Sequence, residues 1–332
     1  MPALRIETPD TFRRTLLATA LAAASLLAPA GAFAQSSAPV RLLIGFPAGS
    51  AVDIVARILA EQMQGEMKQS FVVESRPGAA GRIAVDAVKN AKPDGTTLLV
   101  APHGPLTLFP YVFPNLTYNP ERDFVPVAQL TTFEFGLFAA PGVAAKDLAE
   151  LKTWAAANPS LASYGSPGMG TTPHFVAMAL SHKAGIGMTH IPFNSPPQIM
   201  TSMVGGQLSM AMLTIQEGLE FTKSGKIKLL GTSGATRSAQ TPAVPTFKEQ
   251  GVDVQLTGWF GVFAPAGTPA SVVSAYERAA IKAMNNPDIK ARLAAISLTA
   301  TGAGGAELGR IRKAESEYWA GIVKATGFTP EK

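Results

Sequence analysis

The stretch "VRLLIGFPAGSAVDIVARILAEQM", residues 40–63, decides the fold class. "VRLLIGF" is an apolar run of strand length, and "PAGSA" is a tight turn of small residues. From Val52 to about residue 67, apolar side chains recur at helical spacing: Ile54, Val55, Ile58, Leu59, Met63. A largely apolar strand followed at once by an amphipathic helix is the first half of a βαβ unit. The unit repeats. "SFVVESRPGAAGRIAVDAVKNAKPDG" adds a strand, a glycine-rich turn and a helix stopped at Pro93, and "TTLLVAPHG" adds a third strand. Such alternation implies parallel pairing in an α/β sheet covered on both faces.

Farther along, the rhythm resumes. "LASYGS", "MTHIPF", "QLSMAML" and "KIKLLGTSG" read as strands, while residues 172–183 and "SPPQIMTSMVGG" read as helices. Between the two blocks there is an internal echo: "FGLFAAPG" at residues 135–142 returns as "FGVFAPAG" at residues 260–267. Each is followed by a helical stretch ending in Asn-Pro, at Asn158-Pro159 and Asn286-Pro287. Two similar extended segments leaving the two blocks suit a two-strand hinge. The expected architecture is therefore two βα lobes, residues 35–138 plus 260–332 and residues 139–259.

Composition narrows the function. The chain has 332 residues, 47% apolar, with no cysteine. That excludes disulfides, thiolate metal sites, a cysteine nucleophile and a lipidated N-terminal cysteine. Residues 1–34 read as a cleaved export signal: Arg13 and Arg14, an apolar run over residues 16–28, then Ala32-Phe33-Ala34 before Gln35. "FRRTLL" is a loose twin-arginine match, so the general secretory route is expected. Removing Arg5, Arg13, Arg14, Glu7 and Asp10 leaves 25 basic and 21 acidic residues, net +4. So small an excess, without clustered Lys/Arg and interleaved aromatics, argues against nucleic acid. The expected product is a freely diffusing periplasmic monomer.

In open α/β sheets ligands sit beyond the carboxyl ends of strands, at helix N-termini. Two loops have that character. The first is Phe46-Pro47-Ala48-Gly49-Ser50-Ala51-Val52-Asp53; the second is Ser166-Pro167-Gly168-Met169-Gly170-Thr171-Thr172. Neither contains Lys or Arg. Unpaired amides, the helix dipole and hydroxyl donors can hold a carboxylate without a formal cation. Asp53 reads as a first-turn helix-stabilising carboxylate. His103, in a turn after a strand, is a candidate cleft residue, and His190 reads as a satisfied strand residue. His174 and His182 lie eight apart on one helix, too far for a zinc pair. There is no Gly-x-Ser-x-Gly elbow, phosphate loop or dinucleotide fingerprint. No cofactor and no metal are expected.

"GFPAGSAVDIVARILAEQM", "VVESRPGAAGRIAVDAV", "PDGTTLLVA", "YGSPGMGTTPH", "HIPFNSPPQIMTSMVGGQLSMAM" and "GWFGVFAPAGTP" resemble, in order, the Bug family of extracytoplasmic solute receptors of tripartite tricarboxylate transporters. The resemblance implies a two-lobed periplasmic-binding-protein fold, type II like, closing on a small organic carboxylate. It implies delivery to membrane permease subunits or, alternatively, presentation to a sensor; a periplasmic enzyme on the same scaffold is the rival reading. The family's pincer loops map onto Phe46, Gly49, Ser50, Ala51, Val52 and onto Ser166, Met169, Gly170, Thr171, Thr172. Phe193 and Leu213 join the candidate ligand-binding set at positions that follow family motifs.

The departures point to the ligand. Where the family commonly has Gly-Gly-Thr, this chain has Ser50-Ala51-Val52, and Met169 replaces a frequent Asn. Asn194-Ser195 replaces Lys-Gly, and Leu213-Thr214 replaces Asp-Asn. A cleft no more polar than the family's, and stripped of that Asp, suits one or two carboxylates on an apolar or aromatic body. Arg82, at a helix start where a cation opposes the dipole, is expected to lie in solvent.

Overall fold

The computed structural model describes residues 38–326 and Phe328. The export signal read over residues 1–34 lies outside the described residues.

The first βα unit forms as its pattern dictates. Strand β1 (Val40–Ile44) is buried at four of five positions, because it lies between β2 (Phe71–Ser75) and β3 (Thr97–Pro102), parallel to both. Helix α1 (Ala51–Met67) starts after Ser50, whose extended backbone serves as N-cap, and carries Asp53 in its first turn. It ends where Lys68 turns left-handed. A one-turn 3-10 helix (Ala79–Gly81) then leads into α2 (Arg82–Lys89). That turn and the end of β1 are in backbone contact. A Cβ on Gly45 would lie 2.5 Å from the Gly81 Cα.

After β3 come two one-turn helices, α3 (Gly104–Thr107) and α4 (Phe109–Val112), and then β4 (Phe124–Ala139), sixteen residues long. The second block follows: α5 (Leu148–Ala157), β5 (Ser163–Ser166), α6 (Thr172–Ala184), β6 (Thr189–Pro192), α7 (Pro196–Val204), β7 (Met210–Thr214), α8 (Ile215–Lys223) and β8 (Lys228–Thr232). The chain returns through β9 (Thr257–Pro265), α9 (Ala270–Asn285), α10 (Pro287–Ala294), β10 (Thr299–Gly304) and α11 (Gly305–Thr326). Helices α5 and α9 both stop at an Asn before Pro, since the residue preceding proline is pushed out of the helical region.

Strand β4 organises the sheet, whose main path runs β2-β1-β3-β9-β4-β7-β5-β6. From Phe124 to Glu134, β4 pairs antiparallel with β9, and β10 joins its other edge between Ala128 and Thr132. From Phe135 to Ala139 its partners change to β7 and β8. Pairing within each block is parallel as expected, β5 with both β6 and β7. The strands that link the blocks are antiparallel. One apolar core cluster runs through both, from Leu42 and Val55 past Leu130 and Leu137 to Tyr164 and Met212.

Candidate functional site

Helices α1, α3, α6 and α8 all begin at a cleft of about 630 Å³, part of it open to solvent. Of the thirteen residues the sequence nominates, Phe46, Ser50, Ala51, Val52, His103, Thr171 and Thr172 line it. So do residues from two strands and a turn that sequence reasoning missed: Phe133, Phe135, Phe260 and Phe109. Phe133 packs on Phe260 with ring centroids 4.5 Å apart and meets Phe135 edge-on at 5.5 Å. The wall is aromatic, and no Lys or Arg belongs to the lining.

The first loop offers amides selectively. Gly49, held at φ +81°, donates its N–H to Asp53 Oδ2 at 2.9 Å, and Asp53 also accepts from Arg57 Nε at 3.0 Å. The Gly49 N–H therefore stabilises the loop and is withheld from the cleft. Asp53 is 3% exposed and has the helix-stabilising role expected of it. Ala51 and Val52, as the first two residues of α1, keep N–H groups that the helix cannot satisfy. The Ser50 hydroxyl is buried without a partner.

The second loop is braced from behind. Gly168 donates to Ser166 O at 2.8 Å, and the Thr171 hydroxyl donates to Gly168 O at 2.8 Å. The Gly170 N–H donates to His174 Nδ1 at 3.1 Å. His174 stacks on His190, ring centroids 4.0 Å apart, and His190 Nε2 lies 2.8 Å from Ser166 Oγ. Ser166 and Gly170 are thus turned towards this histidine support, and neither lines the cleft; nor does Met169. Phe193 packs beside Gly165. Leu213 falls in the core with Phe138 and Met200, since successive strand side chains alternate. Its neighbour Thr214 is the residue that reaches the cleft.

Both histidines are held neutral. Burial pushes His174 down to about 3, helped by the neighbouring His190, and burial alone pushes His190 down to about 4. An unfolded histidine titrates near 6.5, so the unfolded chain binds more protons below that pH. The pair's stabilisation is full above about 6.5 and is lost as pH falls from there towards 4. The thermal midpoint is accordingly expected to drop on acidification from pH 7 to 4, and His190→Gln to flatten that slope. Parallel slopes in the two proteins would dismiss this role.

His103 is 1% exposed and lines the cleft with Phe133 and Phe135, at centroid distances of 6.0 and 6.2 Å, while Trp259, 5.8 Å from it, stands outside the lining. Its Nδ1 is paired to Glu315 of α11, which leaves Nε2 as the ring nitrogen available to a ligand. Glu315 also accepts from Trp259 Nε1 at 2.6 Å, Trp319 Nε1 at 2.9 Å and Thr107 Oγ1 at 3.3 Å. Burial raises this carboxyl, but the His103 charge and the hydrogen bonds from His103, Trp319 and Trp259 outweigh it and hold it below its ordinary range.

Arg82 is half-exposed. Its guanidinium sits 4.0 Å over the Phe113 ring and Nε donates to Ala79 O at 2.9 Å, outside the cleft lining. The cleft also holds a carboxylate that the sequence reading did not nominate. Glu217, third residue of α8, lines it, and accepts the Thr214 N–H at 3.0 Å through Oε2. Burial pushes its carboxyl up to about 6. The signal was present as Thr214-Ile-Gln-Glu217, the Thr-x-x-Glu pattern of a capping box, and it places the acid by helix-start chemistry. Among the described residues no cluster of three His, Cys, Asp or Glu could hold a metal. None of the described helices is long and apolar enough to cross a membrane.

Comparison with known proteins agrees with this geometry. Residues 55–328 match the tripartite tricarboxylate transporter family receptor. A Cupriavidus necator protein encoded in the gbd 5' region is 35% identical over 277 residues, 83% of each chain. Among solved structures, MatC from Rhodopseudomonas palustris with bound malate is 28% identical, with a TM-score of 0.80 over 86% of this chain and 98% of that one. The periplasmic binding protein BugD is 26% identical, with a TM-score of 0.83 over 88% and 99%. The chain shares with them the α/β, two-lobed fold of periplasmic binding proteins.

Proposed function

The chain belongs to the tripartite tricarboxylate transporter receptor family, and from that premise we propose that it captures a small carboxylate on an apolar or aromatic body. Its family and solved neighbours are solute-binding proteins; it is a receptor and not an enzyme. In this reading the protein works in the periplasm as a monomer and hands its solute to membrane permease subunits. MatC carries malate, which supports a carboxylic acid as the ligand class.

One observation carries the reading: helix starts from both βα blocks open on one aromatic cleft that has no lysine or arginine in its lining. The unpaired amides of Ala51, Val52 and Thr172, with the Ser50 hydroxyl, supply donors aimed at an acid group. Residues 35–138 with 260–332 form one jaw and residues 139–259 the other. The change of partners along β4 between Glu134 and Phe135 supports that division. Ligand contacts made from both jaws would shift the population towards a closed form.

Ala51→Pro tests the amide directly. Proline is tolerated at the first helical position, and Ser50 already has the extended backbone (φ −69°, ψ 160°) that precedes proline. The substitution deletes one N–H and keeps the helix. A hydrogen bond to a charged group contributes about 1.5 kcal/mol or more, so affinity for bound acids should fall at least about tenfold with an unchanged melting temperature. Calorimetry with a panel of mono- and dicarboxylates, malate included, measures it. Equal dissociation constants in the two proteins would refute an amide-held carboxylate.

A further inference from the structure

Among the described residues, Glu217 is the one carboxylate in the cleft lining, and His103 the one other ionisable side chain there. Its Oε2 accepts the Thr214 amide, and an ionised carboxylate has further lone pairs with which to accept from a ligand. The cleft it lines is also walled by Phe133, Phe135 and Phe260, which offer no hydrogen-bond donor. His103 is already paired to Glu315. A solute that brought a second carboxylate here would set like charges together in a poorly solvated pocket, where such pairs are costly. A solute with a hydroxyl at that end would donate to Glu217 and satisfy it.

We propose that Glu217 is the specificity-determining residue of this cleft, selecting acids with a single carboxylate and a hydrogen-bond donor on an otherwise apolar or aromatic body. The inference rests on the receptor reading above and narrows it. Leu213 stands where the resemblance implies a frequent Asp, a carboxylate suited to grasping a hydroxyl. That function has moved from the end of β7 to the first turn of α8.

The carboxyl, pushed by burial up to about 6, is ionised at pH 8, so the test is made there. Glu217→Gln removes the charge but keeps the cap, since glutamine serves at the third helical position as glutamate does. Three probes of one shape suffice: benzoate, para-hydroxybenzoate and terephthalate. Affinities are expressed relative to benzoate within each protein, which cancels any difference in active fraction. In the wild type, para-hydroxybenzoate is expected to bind at least about tenfold tighter than terephthalate. In Glu217→Gln that ratio should shrink about tenfold or more, with terephthalate gaining most. If both proteins rank the probes alike, Glu217 does not select, and the receptor reading stands. If none of the three, nor any acid of the wider panel, binds either protein, both the selection and the receptor reading fall.

Discussion

Glu315→Ala is expected to destabilise the protein by about 3 kcal/mol or more, because several buried donors lose one shared carboxylate acceptor at once. The carboxylate accepts from His103 Nδ1, Trp259 Nε1, Trp319 Nε1 and the Thr107 hydroxyl. Truncation leaves two indole N–H groups and an imidazole buried without an acceptor, at a cost of about 1–3 kcal/mol for each group that water cannot reach. Against a total stability of roughly 5–15 kcal/mol, that loss should lower the urea midpoint strongly. Glu315→Gln, which keeps an acceptor oxygen and loses the charge, should fall between the two. Ligand affinity should fall with the alanine variant as well, because His103 loses the group that orients it. A urea midpoint for Glu315→Ala equal to that of the wild type would show that these hydrogen bonds are replaced by solvent.

Gly45→Ala should cost about 2 kcal/mol, by overpacking. The added Cβ would sit 2.5 Å from Gly81 Cα and 2.7 Å from Gly81 O. Both are backbone atoms, so no rotamer change relieves the clash. β1 and the turn at Ala79–Gly81 would have to part, moving the loop that carries Ser50 and the Ala51 amide. Affinity should therefore fall together with stability. Gly65→Ala is the control of opposite sign. It lies exposed in α1 with nothing within 4 Å of the added methyl, and alanine there should stabilise by about 0.5–1 kcal/mol. Two glycine-to-alanine changes in one βα unit, twenty residues apart, are expected to move the melting temperature in opposite directions. Equal shifts would refute the packing argument.

The βα alternation was legible because β3 and β7 are almost wholly buried, and β1 at four of five positions, so that each reads as a largely apolar run. The stretch of β4 from Phe124 to Glu134 was not. It contains Pro126, Gln129, Thr131, Thr132 and Glu134, polar or rigid residues that interrupt a run. Burial between β9 and β10, not local pattern, makes them strand. The echo of "FGLFAAPG" and "FGVFAPAG" marks two neighbouring strands. The matching residues do not face each other, since Phe260 pairs with Thr131 while Phe135 pairs with Thr214.

For the cleft, helix-start chemistry was readable where Gly and Ser sit in sequence. Which face a side chain takes was not: Leu213 and Thr214 differ by one residue and occupy core and cleft respectively. The Phe133, Phe135 and Phe260 wall requires the register of two strands separated by more than a hundred residues. Glu217 could have been found from its capping box, but a capping acid carries no mark of what lies beyond the helix end.

The pairing of His103 with Glu315 joins residues 212 positions apart. A chain emerging from its N-terminus can form β1, α1 and β3 early, yet the floor beneath its ligand waits for α11, the last of the described helices. Such long loop closure slows folding and ties completion of the pocket to completion of synthesis. A nascent or prematurely ended chain would own both grasping loops and still have nothing solid to press a solute against.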